Sequence, residues 1–107
     1  MPGEQFHHDS VYDRGVLPIS GGADATAALA SSSVGPLADQ TQAVRFSVSG
    51  ANARIKFGDS AVTVTATTGY QFLNGMTDVI RVPSGATHFA IIREAATNAN
   101  VNYVELG

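Results

Sequence analysis

From residue 43 to the end, apolar and polar residues alternate with a period of two, and this pattern constrains the fold more than any other feature. Val44, Phe46 and Val48 alternate with Arg45, Ser47 and Ser49, as a strand buried on one face requires. Ser49-Gly50-Ala51-Asn52 supplies a turn, and residues 53–58 read as the partner strand, with Ile55 and Phe57 alternating with Arg54 and Lys56. After a Gly58-Asp59-Ser60 turn, Val62, Val64 and Ala66 alternate with Thr63 and Thr65 and predict a third strand. The β-branched residues that dominate here fit a pleated surface better than a helix.

Residues 69–77 are less regular, with Asn74-Gly75 a turn dipeptide. Strands over 78–82 and 87–93 are expected to pair around Pro83-Ser84-Gly85, where proline lacks a ladder donor and glycine accepts a positive φ, so that the chain reverses there. Asn98–Asn100 turn the chain into a last strand over 101–106. Six or so short strands with no long helical pattern predict an all-β fold, a small antiparallel β-sandwich or jelly-roll-like barrel.

Residues 1–42 have a different texture. Between 20 and 42 lie six Ala, four Ser and three Gly, and the large apolar residues there are Leu29, Val34 and Leu37. Asp24 is suited to cap a short helix running to Ala30. Earlier, Phe6, Val11, Tyr12, Val16, Leu17 and Ile19 punctuate a polar segment. Forty irregular residues exceed an ordinary loop, so 1–42 reads as an extended N-terminal arm that orders on a partner, and 43–107 as the sandwich domain. Residues 16–19 are also suited to add a first strand to that sandwich.

Charge is sparse. Only 14% of the 107 residues are charged, a surface that is cheap to desolvate against partners. Residues 1–42 carry five acidic residues against Arg14 alone; residues 43–107 carry five basic against four acidic, together giving the net −3. No basic field exists for a phosphate backbone, so nucleic acid is not an expected partner. No apolar run spans a membrane, and no basic region followed by an apolar run opens the chain, so neither membrane insertion nor a secretory signal is expected. Cysteine is absent, which excludes disulfides and thiolate metal sites and suits a soluble protein made in a reducing compartment. A core this small leaves apolar strand faces wet in a lone copy, so self-association is expected, with a trimer favoured over a dimer.

Reactive constellations are weak. His7-His8 with Asp9 and Asp13 has the residue types for a metal, but adjacent residues of an extended segment face opposite ways, and His88 is distant. Gly58-Asp59-Ser60 has the look of a nucleophile motif, yet between alternating segments it is ordinary turn chemistry. Gly21-Gly22 lacks the lysine of a phosphate loop. Tyr70, Phe72 and Phe89 would form a sugar-binding platform if they faced solvent together, although such aromatics mostly fill cores. No catalytic, cofactor or metal residue is therefore expected, nor any enzymatic activity.

Residues 43–107, AVRFSVSGANARIKFGDSAVTVTATTGYQFLNGMTDVIRVPSGATHFAIIREAATNANVNYVELG, resemble small head-decoration proteins of tailed bacteriophages. ARIKFGDSAVTVT is similar to that family's strand-Phe-Gly-turn-strand element, DVIRVPSGATHFAII to its strand, Pro-x-Gly turn and strand, and NVNYVELG to its terminal strand. Similar hairpins occur in fibre and baseplate modules, and residues 1–42 carry no such likeness. The resemblance implies a cement protein, made in the host cytoplasm and placed on the capsid exterior of the virion, with the major capsid protein as its partner. On that reading the expected contact residues are Phe6, Val11, Tyr12, Arg14 and Val16 in the arm, and Arg45, Arg54 and Arg81 in the sandwich. The alternative is a fibre, spike or baseplate module that binds host-surface glycan.

Overall fold

The computed structural model describes residues 17–107. They form eight strands: β1 (Ala23–Ala27), β2 (Ser32–Val34), β3 (Ala43–Ser49), β4 (Ala53–Gly58), β5 (Tyr70–Phe72), β6 (Thr77–Arg81), β7 (His88–Arg93) and β8 (Ala99–Leu106). Two antiparallel four-stranded sheets, ordered β1-β8-β3-β6 and β2-β7-β4-β5, pack as a sandwich. Successive strands repeatedly cross from one sheet to the other, so residues 53–58 are not the ladder partner of 43–49, and the strands on either side of Pro83-Ser84-Gly85 do not pair with each other; β3 pairs with β6 and β8, and β4 with β5 and β7. This is the two-Greek-key connectivity of a jelly roll.

Register explains why the alternating residues meet. Phe46 stands opposite Tyr103 and Val48 opposite Val101, while in the second sheet Phe57 faces Phe89 and Ile55 faces Ile91. These side chains point between the sheets and form one buried cluster with Val44, Phe72, Ala27 and Ala99. Phe46 lies at its centre, with its ring 5.0 Å from Phe89, 5.7 Å from Phe72 and 6.0 Å from Phe57, all tilted or edge-on. Edge-to-face geometry aligns positive ring edges with negative faces, beyond the gain from buried area. The Pro83–Ala86 turn closes with the Ala86 N–H donating to the Pro83 carbonyl at 3.1 Å, and Gly85 takes a φ of +84°.

The helix expected over Asp24–Ala30 is not formed. Residues 23–27 are strand β1, which pairs with β8. Alternation settles it: Ala23, Ala25 and Ala27 face inward opposite Tyr103, Val101 and Ala99, and Asp24 faces outward where Asn102 Nδ2 donates to its Oδ1 at 3.0 Å. Small inward side chains fit beside the large ones of β8, and this ladder outweighs alanine's helical preference. β2 also comes from the segment before residue 43, so each sheet takes one edge strand from it. Residues 17–19 extend the pairing along β8: Leu17 and Gly107 exchange backbone hydrogen bonds at 2.9 and 3.0 Å, and the Ile19 N–H donates to Glu105 O at 2.9 Å. Between Ile19 and Ala23, residues 20–22 stand opposite Val104 alone, a bulge in which Gly22 takes a φ of +87°.

The strand expected over 62–66 is absent as well. Residues 59–69 instead form an irregular strap across the outer face of the second sheet. Ser31 and Ser33 point to that face, and Ser31 Oγ accepts the Val64 N–H at 3.0 Å while Ser33 Oγ donates to the Ser60 carbonyl at 3.4 Å. A Cβ on Gly58 would meet Val62 Cγ2 at 2.6 Å, and one on Gly69 would meet Val64 Cγ2 at 3.0 Å. Val64 is buried yet does not belong to the central cluster, and Ala90, which also points outward from β7, is fully buried under the strap. The Val-Thr-Val alternation thus records an extended segment with one face pressed down, without a ladder partner.

Candidate functional site

The sandwich presents its polar chemistry on two outer faces, and these separate the arginines. On the first sheet, Arg45 of β3 lies opposite Val79 of β6 and Val104 of β8. Arg81, at the end of β6, lies opposite Ala43, which is paired on its other side with Leu106. Ala43, Val104 and Leu106 form a second, smaller buried cluster, with Val79 packed against it. Arg45 is half-buried and its Nε has no hydrogen-bond partner among the described residues, whereas Arg81 is exposed. Towards the other end the same face turns polar, with Ser47 and Thr77 hydroxyls bonded at 2.9 Å beside Asn102 and Asp24.

Arg54 sits on the opposite outer face, on β4, and its guanidinium is committed. Its Nε donates to Glu94 Oε2 at 2.8 Å. Gln71 Nε2 donates to the same oxygen at 2.8 Å, and Asn52 Nδ2 donates to Oε1 at 3.1 Å. Asn52 Oδ1 in turn accepts the Asn74 N–H at 2.8 Å, and Asn74 Oδ1 accepts the Gly50 N–H at 2.9 Å. This network ties the β3–β4 turn, β4, β5 and the end of β7 together. The Arg54 hydrogen bond, helped by those from Asn52 and Gln71, holds the Glu94 carboxyl below its ordinary value, with partial desolvation opposing it. No local pattern in the sequence marks Glu94, because its partners lie 23 to 42 positions away.

Phe6, Val11, Tyr12, Arg14 and Val16 lie outside the described residues, as do His7 and His8. Leu17, the first described residue, lies beside Gly107, at the end of the first sheet that carries Ala43, Leu106 and Arg81. Structure thus brings Arg45, Arg81 and Leu17 to the same end of the first sheet, and places Arg54 on the opposite face.

The other motifs resolve simply. Ser60 lies in a turn in which the Ala61 N–H donates to Asp59 Oδ1 at 2.9 Å and the Val62 N–H to Asp59 O at 3.0 Å. His88 Nδ1 is engaged with Thr87 Oγ1 at 2.9 Å. Tyr70, Phe72 and Phe89 do not form a platform: Phe72 and Phe89 are core residues and Tyr70 alone faces solvent, 47% exposed. The core required both phenylalanines as partners for Phe46. Among the described residues there is no pocket and no group of three acidic or histidine side chains placed to hold a metal. Exposed large apolar side chains are Leu17, Leu29, Tyr70 and Leu73.

Comparison with protein-family models, curated proteins and solved structures finds no match to this chain.

Proposed function

We propose that this chain is a capsid decoration protein, a cement that binds the outer shell of a bacteriophage head and braces neighbouring capsomers. The observation that carries the reading is the placement of Arg45, Arg81 and Leu17 at one end of the first sheet. Half-buried Val79 lies between Arg45 and Arg81 there, and no carboxylate stands directly opposite either arginine. Such a surface suits an acidic, partly apolar protein partner: the charges steer and orient, while the apolar centre supplies affinity. Sparse charge elsewhere lowers the desolvation cost of covering a broad area. The jelly roll supplies a stiff body between contacts, which bracing requires. Retention comes from several modest contacts acting together.

The test adds purified chain to heads stripped of their decoration. Wild-type protein should saturate the heads, and Arg81→Glu should reduce occupancy, more so when combined with Arg45→Gln. Lys56→Glu, an equal charge change on the exposed surface of the opposite face, should bind as wild type does. Failure of the wild-type chain to bind heads would defeat the proposal. Equal loss from Lys56→Glu and Arg81→Glu would move the contact away from the first sheet.

A further inference from the structure

The sandwich has four edge strands, and they are not equivalent. β2 and β5 are three residues long, too short to template much pairing. β6 is blocked by its own chemistry. Asp78 lies on the inward side of β6, opposite Phe46, yet stays exposed and turns its Oδ1 back onto the Val79 N–H at 2.8 Å. An inward-pointing carboxylate that occupies an edge donor is a common defence against strand addition. β1 has no such device: Ala23-Asp24-Ala25-Thr26-Ala27 contains no proline, lysine, bulge or capped amide, and among the described residues nothing pairs with its outer side.

Ladder parity identifies the groups that β1 offers. β3 turns Val48 towards β6, since the Val48 N–H donates to Met76 O at 2.9 Å and Val48 O accepts the Gly75 N–H at 2.8 Å. Alternation then turns Arg45 and Ser47 towards β8, and Val101, Tyr103 and Glu105 of β8 towards β1, in agreement with the Ile19 N–H to Glu105 O bond. Ala23, Ala25 and Ala27 therefore spend their backbone groups on β8. Asp24 and Thr26, opposite Asn102 and Asn100, present theirs to the open edge.

We infer that β1 is a self-association edge, pairing antiparallel with β1 of a second copy about a two-fold axis through Ala25. That register places Asp24 opposite the second copy's Thr26, and Thr26 opposite its Asp24. All four backbone N–H groups at these positions then find carbonyl acceptors. On the outer face each Asp24 carboxylate meets a Thr26 hydroxyl, a donor-acceptor match made twice by symmetry. A register centred on Asp24 would oppose two carboxylates, and one centred on Thr26 would leave Asp24 facing Ala28 beyond the strand. On the inner side only alanines meet, so side chains do not hold the edges apart. The result is a continuous eight-stranded sheet across two copies, a pair rather than the trimer that the small core suggested, and it holds whether or not the partner is a capsid.

The experiment uses the full chain in analytical ultracentrifugation across a concentration series reaching about 100 µM, suited to a small, modest-affinity contact. Wild type should form dimers. Thr26→Pro should be monomeric, with the urea midpoint of wild type when both are measured at a concentration low enough for wild type to be monomeric, since the lost N–H faces the open edge and not β8. Thr26→Glu, which opposes two carboxylate pairs, should weaken pairing about tenfold, and adding Asp24→Lys should restore it. Because the chain contains no cysteine, Ala25→Cys gives an independent readout that survives even if Thr26→Pro fails to fold. The two thiols it introduces, one per copy, occupy a non-hydrogen-bonded pair with Cα atoms about 4.5 Å apart, within disulfide range. Ala23→Cys, separated from its symmetry mate by about 13 Å along the strand, should not cross-link. A monomeric wild type, a trimer, a dimer indifferent to Thr26→Glu, or equal cross-linking at 23 and 25 would each overturn the inference.

Discussion

Gly58 ends β4 with its missing side chain aimed at the strap. A Cβ there would stand 2.6 Å from Val62 Cγ2 and 2.7 Å from Val62 Cβ, well inside contact distance. Gly58→Ala should therefore destabilise by about 1–3 kcal/mol, the usual cost of overpacking. Val62→Gly removes every clashing atom; Val62→Ala would leave the Cβ in place. On its own, Val62→Gly should cost about 1–2 kcal/mol through lost apolar burial and a looser backbone. In that background the methyl added by Gly58→Ala meets no obstruction and restricts the unfolded chain, so it should be neutral or stabilising by about 0.4–1 kcal/mol. The same substitution thus loses or reverses its cost with its neighbour, a coupling of about 1–4 kcal/mol. Urea unfolding of the four proteins, with slopes checked for constancy, measures the cycle. Additivity within about 0.5 kcal/mol would refute the strap's packing on Gly58 and return residues 62–66 to a separate ladder.

Other expectations concern the core and the Glu94 network. Phe46→Ala should cost about 3–5 kcal/mol, because the ring touches three other aromatics and lies fully buried, whereas Phe46→Leu should cost about 1.5 kcal/mol or less. A Phe46→Ala loss no larger than that of Phe46→Leu, read from urea midpoints, would contradict the central placement. Glu94 has a folded-state pKa below its unfolded value, so its contribution is present above the ordinary 4.5 and is lost as pH falls through the lowered value. Melting temperature followed from neutral pH into that acidic range should fall less for Glu94→Gln than for wild type; parallel curves would show that the network carries no linkage.

Much of this architecture was legible in the chain, and the exceptions share a cause. Large apolar residues at period two marked β3, β4 and β8 because each buries one face against the facing sheet, and the short apolar run Phe89–Ile92 marked β7, whose outward Ala90 is buried as well. β1 has the same period, Ala-Asp-Ala-Thr-Ala, but its inward residues are small, and a single sequence does not distinguish a strand that pads a large neighbour from a short alanine helix. The strap misled in the opposite way: Val62 and Val64 alternate with threonines as a strand would, yet their burial comes from an outer face whose existence depends on tertiary assembly. At the contact surface, Arg45 and Arg81 were recognisable as residues, but their shared face and the diversion of Arg54 to Glu94 depend on sheet order and on a partner 40 residues away. No local pattern encodes such distances.

Reconstruction of the parent particle by electron cryomicroscopy tests the capsid reading most directly. The expected result is many copies of an eight-stranded sandwich over the outer surface of the head, with the Arg45 and Arg81 face turned to the shell and the chain rooted there at Leu17. Density for the sandwich confined to a few copies at the tail, as for a fibre or baseplate module, or its absence from the head exterior, would contradict it.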